Sequence, residues 1–242
     1  MNNEQQIDEL LTKLLQEKDR VIGYPVAKDF DYSRLYEFLK HPINNVGDPY
    51  EDNTYKVQTH EMEREVVDFF AQLFRADPTD YWGYVTNGGS ESNLYGLYLA
   101  RESHPKAMVY FSESTHYSVR KNIHLLNLPS ITIRAQENGE LDYEDLENTL
   151  QLNRDKPAII LTTFGTTMTE AKDDVSKVKR ILKKLAIQNH YIHCDAALAG
   201  SYGAFIEPRI PYDFQDGADS ISISGHKFIG SPFPSGVIIA KR

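Results

Sequence analysis

One cysteine, Cys194, stands among 242 residues, so the chain can close no internal disulfide and fits a reducing compartment. Positive charge is also short. Lysine and arginine number 26 against 35 aspartates and glutamates, a formal net charge of −9. Nucleic acid and anionic membrane surfaces both require a basic footprint, so neither is expected as a partner. No apolar run approaches the ~20 residues that a bilayer crossing takes. The segment from Met1 to Asp8 is polar and acidic, and does not read as a secretory leader. Internal repeats and low-complexity tracts are missing too. What remains is an ordinary globular composition, 40% hydrophobic and 25% charged, with enough residues to bury a substantial core. The expectation is a cytoplasmic enzyme.

Hydrophobic spacing divides the chain in two. In Asn3–Asp19, Ile7, Leu10, Leu11, Leu14 and Leu15 recur at helical intervals, which predicts an amphipathic helix. From Gly23 to Asn53 the chain is rich in Pro, Gly, Asn and Asp, the composition of an irregular arm lying on something else, such as another subunit. Residues 1–55 are therefore read as helix and arm, and 56–242 as the main domain. There, Glu61–Phe74 reads as a helix with Met62, Val66, Phe69, Phe70 and Leu73 facing inward. Strands are expected at Tyr81–Thr86, Ala107–Phe111, Ile131–Arg134, Ala158–Thr163, Tyr191–Asp195, Ser220–Ser224 and Val237–Ala240. Helices are expected at Ser90–Glu102, Tyr117–Leu125, Tyr143–Leu152 and Asp174–Gln188. Strand–helix alternation of this kind implies an α/β fold, a mostly parallel sheet covered by helices on both faces. Ligands in such folds sit beyond the strands' carboxyl ends. The basic stretch Lys177–Lys184 alternates with Val178, Ile181 and Leu182, so it reads as the solvated side of an amphipathic helix.

Four segments at expected strand ends carry chemistry. Thr86-Asn87-Gly88-Gly89-Ser90-Glu91-Ser92-Asn93 opens a helix with two glycines, a pattern that suits a phosphate as well as a plain tight turn capped by Ser90. In Tyr191–Ala197, alternation puts His193, Asp195 and Ala197 on one face. A buried aspartate at that position needs a cation or several donors; a protonated pyridine nitrogen is one such cation, and a loop cap is the alternative. Ala197 leaves room for a flat ring. Lys227, in Ser222–Pro232, is flanked by glycines just past a strand, where a lysine can form an imine with a carbonyl cofactor; Ser224 and His226 beside it can donate to a phosphate. His116, in Thr115–Ser118, falls at the same edge of the sheet. No metal enters this reading.

The motifs IGYP, INNVGDP, WGYVTNGGSESN, THYSV, FGTT, IHCDAALAG and SISGHKFIGSPFPSGV resemble those of the group II amino-acid decarboxylases among fold-type I pyridoxal-phosphate enzymes. Within that group, the likeness is to the branch of bacterial pyridoxal-dependent histidine decarboxylases and plant-type serine decarboxylases, and it runs from about Gly23 to Arg242. The resemblance implies pyridoxal 5'-phosphate as cofactor. Lys227 would bond its aldehyde, Asp195 would pair with its ring nitrogen, and His116 would stack on the ring and touch substrate. Ala197 would pack on the opposite ring face, Gly89, Ser90, Ser224 and His226 would hold the phosphate, and Thr166 would lie near the ring. Ser90 and Ser92 stand where threonine and glycine are usual, Glu170 where glycine follows the GTT motif, and Ser235 where many relatives have cysteine.

The family also implies further strands and a small C-terminal domain beyond the lysine motif, which would be missing here. The implied activity is decarboxylation of an amino acid, histidine to histamine, with serine to ethanolamine as one alternative and a cofactor-binding but inactive fragment as another. A homodimer or higher homo-oligomer is expected. Cys194 does not suit the exposed loop thiol of a cysteine desulfurase.

Overall fold

A computed structural model of the chain describes residues 2–22 and 31–242. Seven strands, β1 (Trp82–Thr86), β2 (Met108–Ser112), β3 (Ser130–Ile133), β4 (Ala158–Thr163), β5 (His190–Asp195), β6 (Ser220–Ser224) and β7 (Gly236–Ala240), form one sheet in the order β1-β7-β6-β5-β4-β2-β3. The pairings from β6 through β5, β4 and β2 to β3 are parallel. β7 runs antiparallel to both β6 and β1. The mostly parallel sheet is thus as expected, and the reversal of β7 is what spacing did not reveal.

Alternation along each strand sends residues to opposite sides. Ile159 and Leu161 of β4 join Val109, Phe111 and Tyr191 beneath α3 (Gly89–Ser103) and α4 (Tyr117–Leu125). Ile160 between them joins Tyr110 and Ile192 beneath α5 (Tyr143–Leu152) and α6 (Val175–Lys184). On that second side, Val67, Phe70, Ala71 and Phe74 at the end of α2 (His60–Leu73) cover Ile221, Ile223, Val237 and Ile239. A short helix, α7 (Gly200–Gly203), follows β5. Helix α6 stops short of the expected Gln188, because Ala186 adopts φ +56°, a left-handed conformation that ends the helix. Its basic side is solvated as expected and carries ion pairs from Lys184 to Glu147 and from Lys177 to Glu140.

The inward face of α2 differs from the expected one. Met62, Val66 and Phe69 are exposed and Leu73 is partly buried, while Val67, Phe70 and Ala71 are buried. The helix carries two apolar stripes, and the sheet takes only one of them. The N-terminal helix α1 (Asn3–Glu17) forms with an asparagine capping box at Asn2, but Ile7, Leu10, Leu11, Leu14 and Leu15 are 53–65% exposed. Of the expected arm, residues 23–30, including most of IGYP, lie outside the described residues. The remainder holds two short 3-10 turns, Ser33–Leu35 and Phe38–Lys40.

The INNVGDP segment closes the free edge of β1. Asn45 accepts from Thr59 N at 2.8 Å and donates to Glu63 Oε2 at 2.9 Å, while Glu63 Oε1 accepts the edge amide of Val85 at 2.9 Å. Asp48 accepts from Trp82 Nε1 at 2.8 Å. The bond to Val85 N occupies an edge amide that an open strand would otherwise offer to another chain.

Before β6, Asp213 accepts Arg75 Nε and Nη2 at 2.6 and 2.7 Å and Arg209 Nη2 at 2.7 Å. Its side chain is 3% exposed. Asp213→Ala would leave two guanidiniums sharing Asp216 and is expected to lower stability by about 3 kcal/mol, reduced from the fully buried case because Arg75 reaches solvent. Urea unfolding measures this, and a loss below about 1 kcal/mol would show that solvent screens the cluster.

Candidate active site

Because β7 reverses, its first residue Gly236 lies beside the carboxyl ends of both β1 and β6, paired with Thr86 and Ser224. The β6–β7 hairpin loop therefore opens at the same edge as the loops after β1, β2, β4 and β5. Together they enclose a cleft of about 490 Å³, within the range of small-molecule and cofactor sites.

The loop after β1 forms one wall. Gly88 takes φ +143°, a conformation other residues rarely adopt, and no side chain caps α3 behind it. Ser90 lies inside the helix and does not cap it, so the turn-and-cap alternative fails here. The first N–H groups of α3 open on the cleft, where they suit an anion. Glu91 reaches back to Asn87 N at 2.9 Å, and the Ser92 hydroxyl meets Thr86 Oγ1 at 2.7 Å, which braces the loop. A Cβ on Gly89 would lie 2.7 Å from Ser224 Oγ and 2.9 Å from Ala197 Cβ. Glycine here keeps part of the cleft open.

Asp195, 4% exposed, ends β5. Its Oδ2 accepts Asn93 Nδ2 at 2.8 Å and its Oδ1 accepts Ala197 N at 3.1 Å. It is thus a local loop cap and a cleft-lining carboxylate at once. His116 is the N-cap of α4. Its Nδ1 accepts from Ser118 N at 3.3 Å and lies 2.8 Å from Ser118 Oγ, so the ring proton belongs on Nε2. Burial lowers its pKa; Asp195 opposes this, and Lys227 and Lys121 add to the lowering. The imidazole is neutral near pH 7.

Lys227 is half-buried in the cleft and makes no hydrogen bond or ion pair among the described residues. Beside it, His226 Nδ1 sits on the Ser235 backbone, 3.0 Å from the carbonyl. Ser231 and Ser235 hydroxyls meet at 2.7 Å inside this loop.

Gly89, Ser90, His116, Asp195, Ala197, Ser224, His226 and Lys227 all line the cleft. Thr166 does not. Its hydroxyl faces Thr169 Oγ1 at 2.8 Å and accepts Ala171 N at 3.0 Å, folding its own loop, while Gly165 and Thr167 face the cleft. Glu170 in that loop has φ +57°, a left-handed conformation that favours glycine, and its carboxylate accepts from the Tyr202 hydroxyl. Sequence reasoning assigned no role to Asn93, Thr163 or Leu198, which also line the cleft. Asn93 was within reach, since it lies one helical turn beyond Gly89 on the same face. Cys194 points away, fully buried, and burial pushes its thiol pKa up, so it is no exposed nucleophile.

The donor set fits pyridoxal phosphate. An uncapped helix start beside the Ser224 hydroxyl, which makes no hydrogen bond among the described residues, suits the phosphate. A carboxylate with two donors suits the ring nitrogen, and an unpaired amine suits the aldehyde. Thr163 Oγ1, from the strand beside Asp195, is also buried without a partner among the described residues.

Residues 23–242 match the pyridoxal-dependent decarboxylase conserved domain, and the chain belongs to that family. It is 48% identical over 240 residues to a histidine decarboxylase of Mesorhizobium japonicum, covering 99% of this chain and 65% of that protein. A histidine decarboxylase of Vibrio anguillarum is 48% identical over 223 residues, covering 91% of this chain and 58% of that protein. The chain thus spans roughly three-fifths of the length of these curated relatives. Among solved structures, L-methionine decarboxylase from Streptomyces sp. 590 superposes with a TM-score of 0.87 at 24% identity, over 100% of this chain and 69% of that one, which shows the shared fold.

Two expectations follow. Gly89→Ala should weaken pyridoxal phosphate binding by roughly tenfold or more while leaving the circular dichroism spectrum unchanged, because the new methyl group occupies the cleft; unchanged affinity would place the cofactor elsewhere. The second concerns Asp173, fully buried behind Thr163, which accepts Thr163 N at 2.7 Å and Leu141 N at 2.8 Å. Burial pushes its pKa up to about 7. The folded state therefore favours its protonated form, and the stability this confers is fully present below about pH 4 and lost as pH rises through 7. Unfolding free energy measured from pH 4 to 8 should carry this falling component, and Asp173→Asn should remove it.

Proposed function

We propose that this chain is the cofactor-binding part of an enzyme that decarboxylates an L-amino acid to its amine and CO2, and that the amino acid is histidine. The observation that carries the reading is the convergence of Lys227, Asp195 and neutral His116 on one cleft beside an uncapped helix start. Histidine is supported by the relatives, whose names state that substrate at 48% identity.

In this reading Lys227 would hold the cofactor at its aldehyde, Asp195 would pair with the ring nitrogen, and His116 and Ala197 would hold the ring. Gly89, Ser90, Ser224 and His226 hold the phosphate. Bound there, the cofactor supplies an electron sink for the pair left behind when CO2 departs. The chain's own part is to hold charge and protons in place. Asp195 presents a carboxylate already oriented by Asn93 and Ala197 N. His116 offers an Nε2 proton, and a free Lys227 amine would be a base or acid within the cleft.

Exposed apolar residues support a homodimer. The outer faces of α1 and α2 present Leu10, Leu14, Met62 and Phe69 to solvent, more than an isolated chain favours. A second copy covers them in this reading, with residues 1–55 as the arm and 56–242 as the cofactor domain; light scattering that returns only monomer would refute it. The single buried cysteine fits the cytoplasm.

The function is tested by adding pyridoxal phosphate, reducing with borohydride and mapping the modified peptide, then by an amino-acid panel with amine detection. A pyridoxyl group on Lys227 and histamine from histidine are expected. Ethanolamine from serine would reassign the substrate, and a loaded but inert chain would leave only the cofactor site. Lys227→Ala should abolish both the adduct and turnover, and retained turnover would remove the central assignment.

A further inference from the structure

Behind Asp195 lies a set of buried polar groups that the proposed chemistry does not use directly. Asn93 Oδ1 lies 2.9 Å from His193 Nε2 and accepts the Ser222 hydroxyl at 2.5 Å. His193 Nδ1 lies 2.7 Å from Ser220 Oγ. His193, Ser220 and Ser222 are 0% exposed and Asn93 1%. None of these groups has water to turn to, so each donor needs an acceptor.

Their protons have one consistent arrangement. Asp195 as a carboxylate only accepts, so Asn93 must present its NH2 there and its Oδ1 to His193 and Ser222. Oδ1 only accepts, so His193 must carry its proton on Nε2. Its Nδ1 then accepts from Ser220. Every bond in the row Ser220–His193–Asn93–Asp195 donates toward the carboxylate.

We propose that Asn93 and His193 are positioning residues for the cofactor: the histidine locks the amide of Asn93 so that it donates to Asp195, leaving that carboxylate fixed to receive the ring nitrogen. Without the Nε2 donor, the Ser222 hydroxyl alone holds the amide oxygen away from Asp195, and the orientation of the amide is less firmly fixed. Burial keeps the imidazole neutral, since the cost of charging it pushes its pKa down to about 3. Helix α3 is shaped around the ring: a Cβ on Gly96 would lie 2.4 Å from both Cε1 and Nδ1 of His193. The inference rests on the cofactor assignment for its purpose, but the proton order can be read without cofactor.

The test has two arms on the whole chain. In the first, nitrogen NMR of ring-labelled histidine, with the His193 signals identified by their loss in His193→Gln, reads the tautomer in cofactor-free protein. A neutral ring protonated at Nε2 from pH 5 to 8 is expected; a proton on Nδ1, or titration in that range, overturns the proposal. In the second, pyridoxal phosphate affinity and the visible absorption band are compared in two variants. His193→Phe fills the space without a donor and should weaken binding roughly tenfold or more and alter the band. His193→Gln can return an N–H to Asn93 and should recover most of both. Equal behaviour of the two variants would mean a packing role only and would overturn the proposal. Should the unaltered chain take up no cofactor, the cofactor reading fails while the tautomer still decides the proton order. Should His193→Phe not fold, the NMR arm stands on the unaltered chain.

Discussion

A carboxylate at the end of an interior strand loses most of its hydration, and the protein must replace what water supplied. At Asp195 the replacement comes from Ala197 N, next to it in the loop, and from Asn93, on a helix that arrives from another part of the chain. Asn93 reaches Asp195 only if α3 lies close against β5 and β6, and Gly96 permits that approach over the His193 ring. The same placement sends the uncapped start of α3 into the cleft. One helix therefore serves a negative group of the protein through a side chain and offers a ligand anion its backbone amides. Moving it for either purpose would spoil the other.

The remaining groups reach this edge through strand direction. Parallel strands deliver their following loops to one side of a sheet, which places His116 and Asp195. Lys227 comes the same way, three residues past the end of β6, which runs parallel to β5, and β7 turns back on β6 to close the loop that carries it. A loop closed by His226 and Ser235 holds the lysine beside the cleft, its amine without a hydrogen bond or ion pair among the described residues. The sheet's β1 margin is managed separately: Glu63, held by Asn45, accepts the Val85 amide, and Asp48 accepts from the Trp82 side chain. The faces of α1 and α2 that the sheet does not use remain apolar and exposed.

Much of this was legible in residue order. Periodicity located the strands within a residue or two and separated β4, buried on both sides, from the amphipathic α6. The glycines at 88 and 89, the aspartate at a strand end and the lysine between glycines each suggested chemistry, and their common edge followed from strand–helix alternation alone. The direction of the Thr166 hydroxyl was not legible, because position in sequence does not say which way a side chain turns, and here it turns into its own loop. The inward face of α2 misled because two apolar stripes of similar strength cannot be ranked without knowing where the sheet lies.

By itself, then, the order of residues determined the elements, the parallel character of the sheet and the residue types at its working edge, since these depend on local propensity and spacing. Only the tertiary structure decided that Asn93 meets Asp195, that His193 stands behind it and that β7 reverses to pair with β1 as well as β6. Those are contacts between residues far apart in the chain. They exist because dry polar groups must find partners wherever the packed backbone places them, and no spacing along the chain encodes that directly.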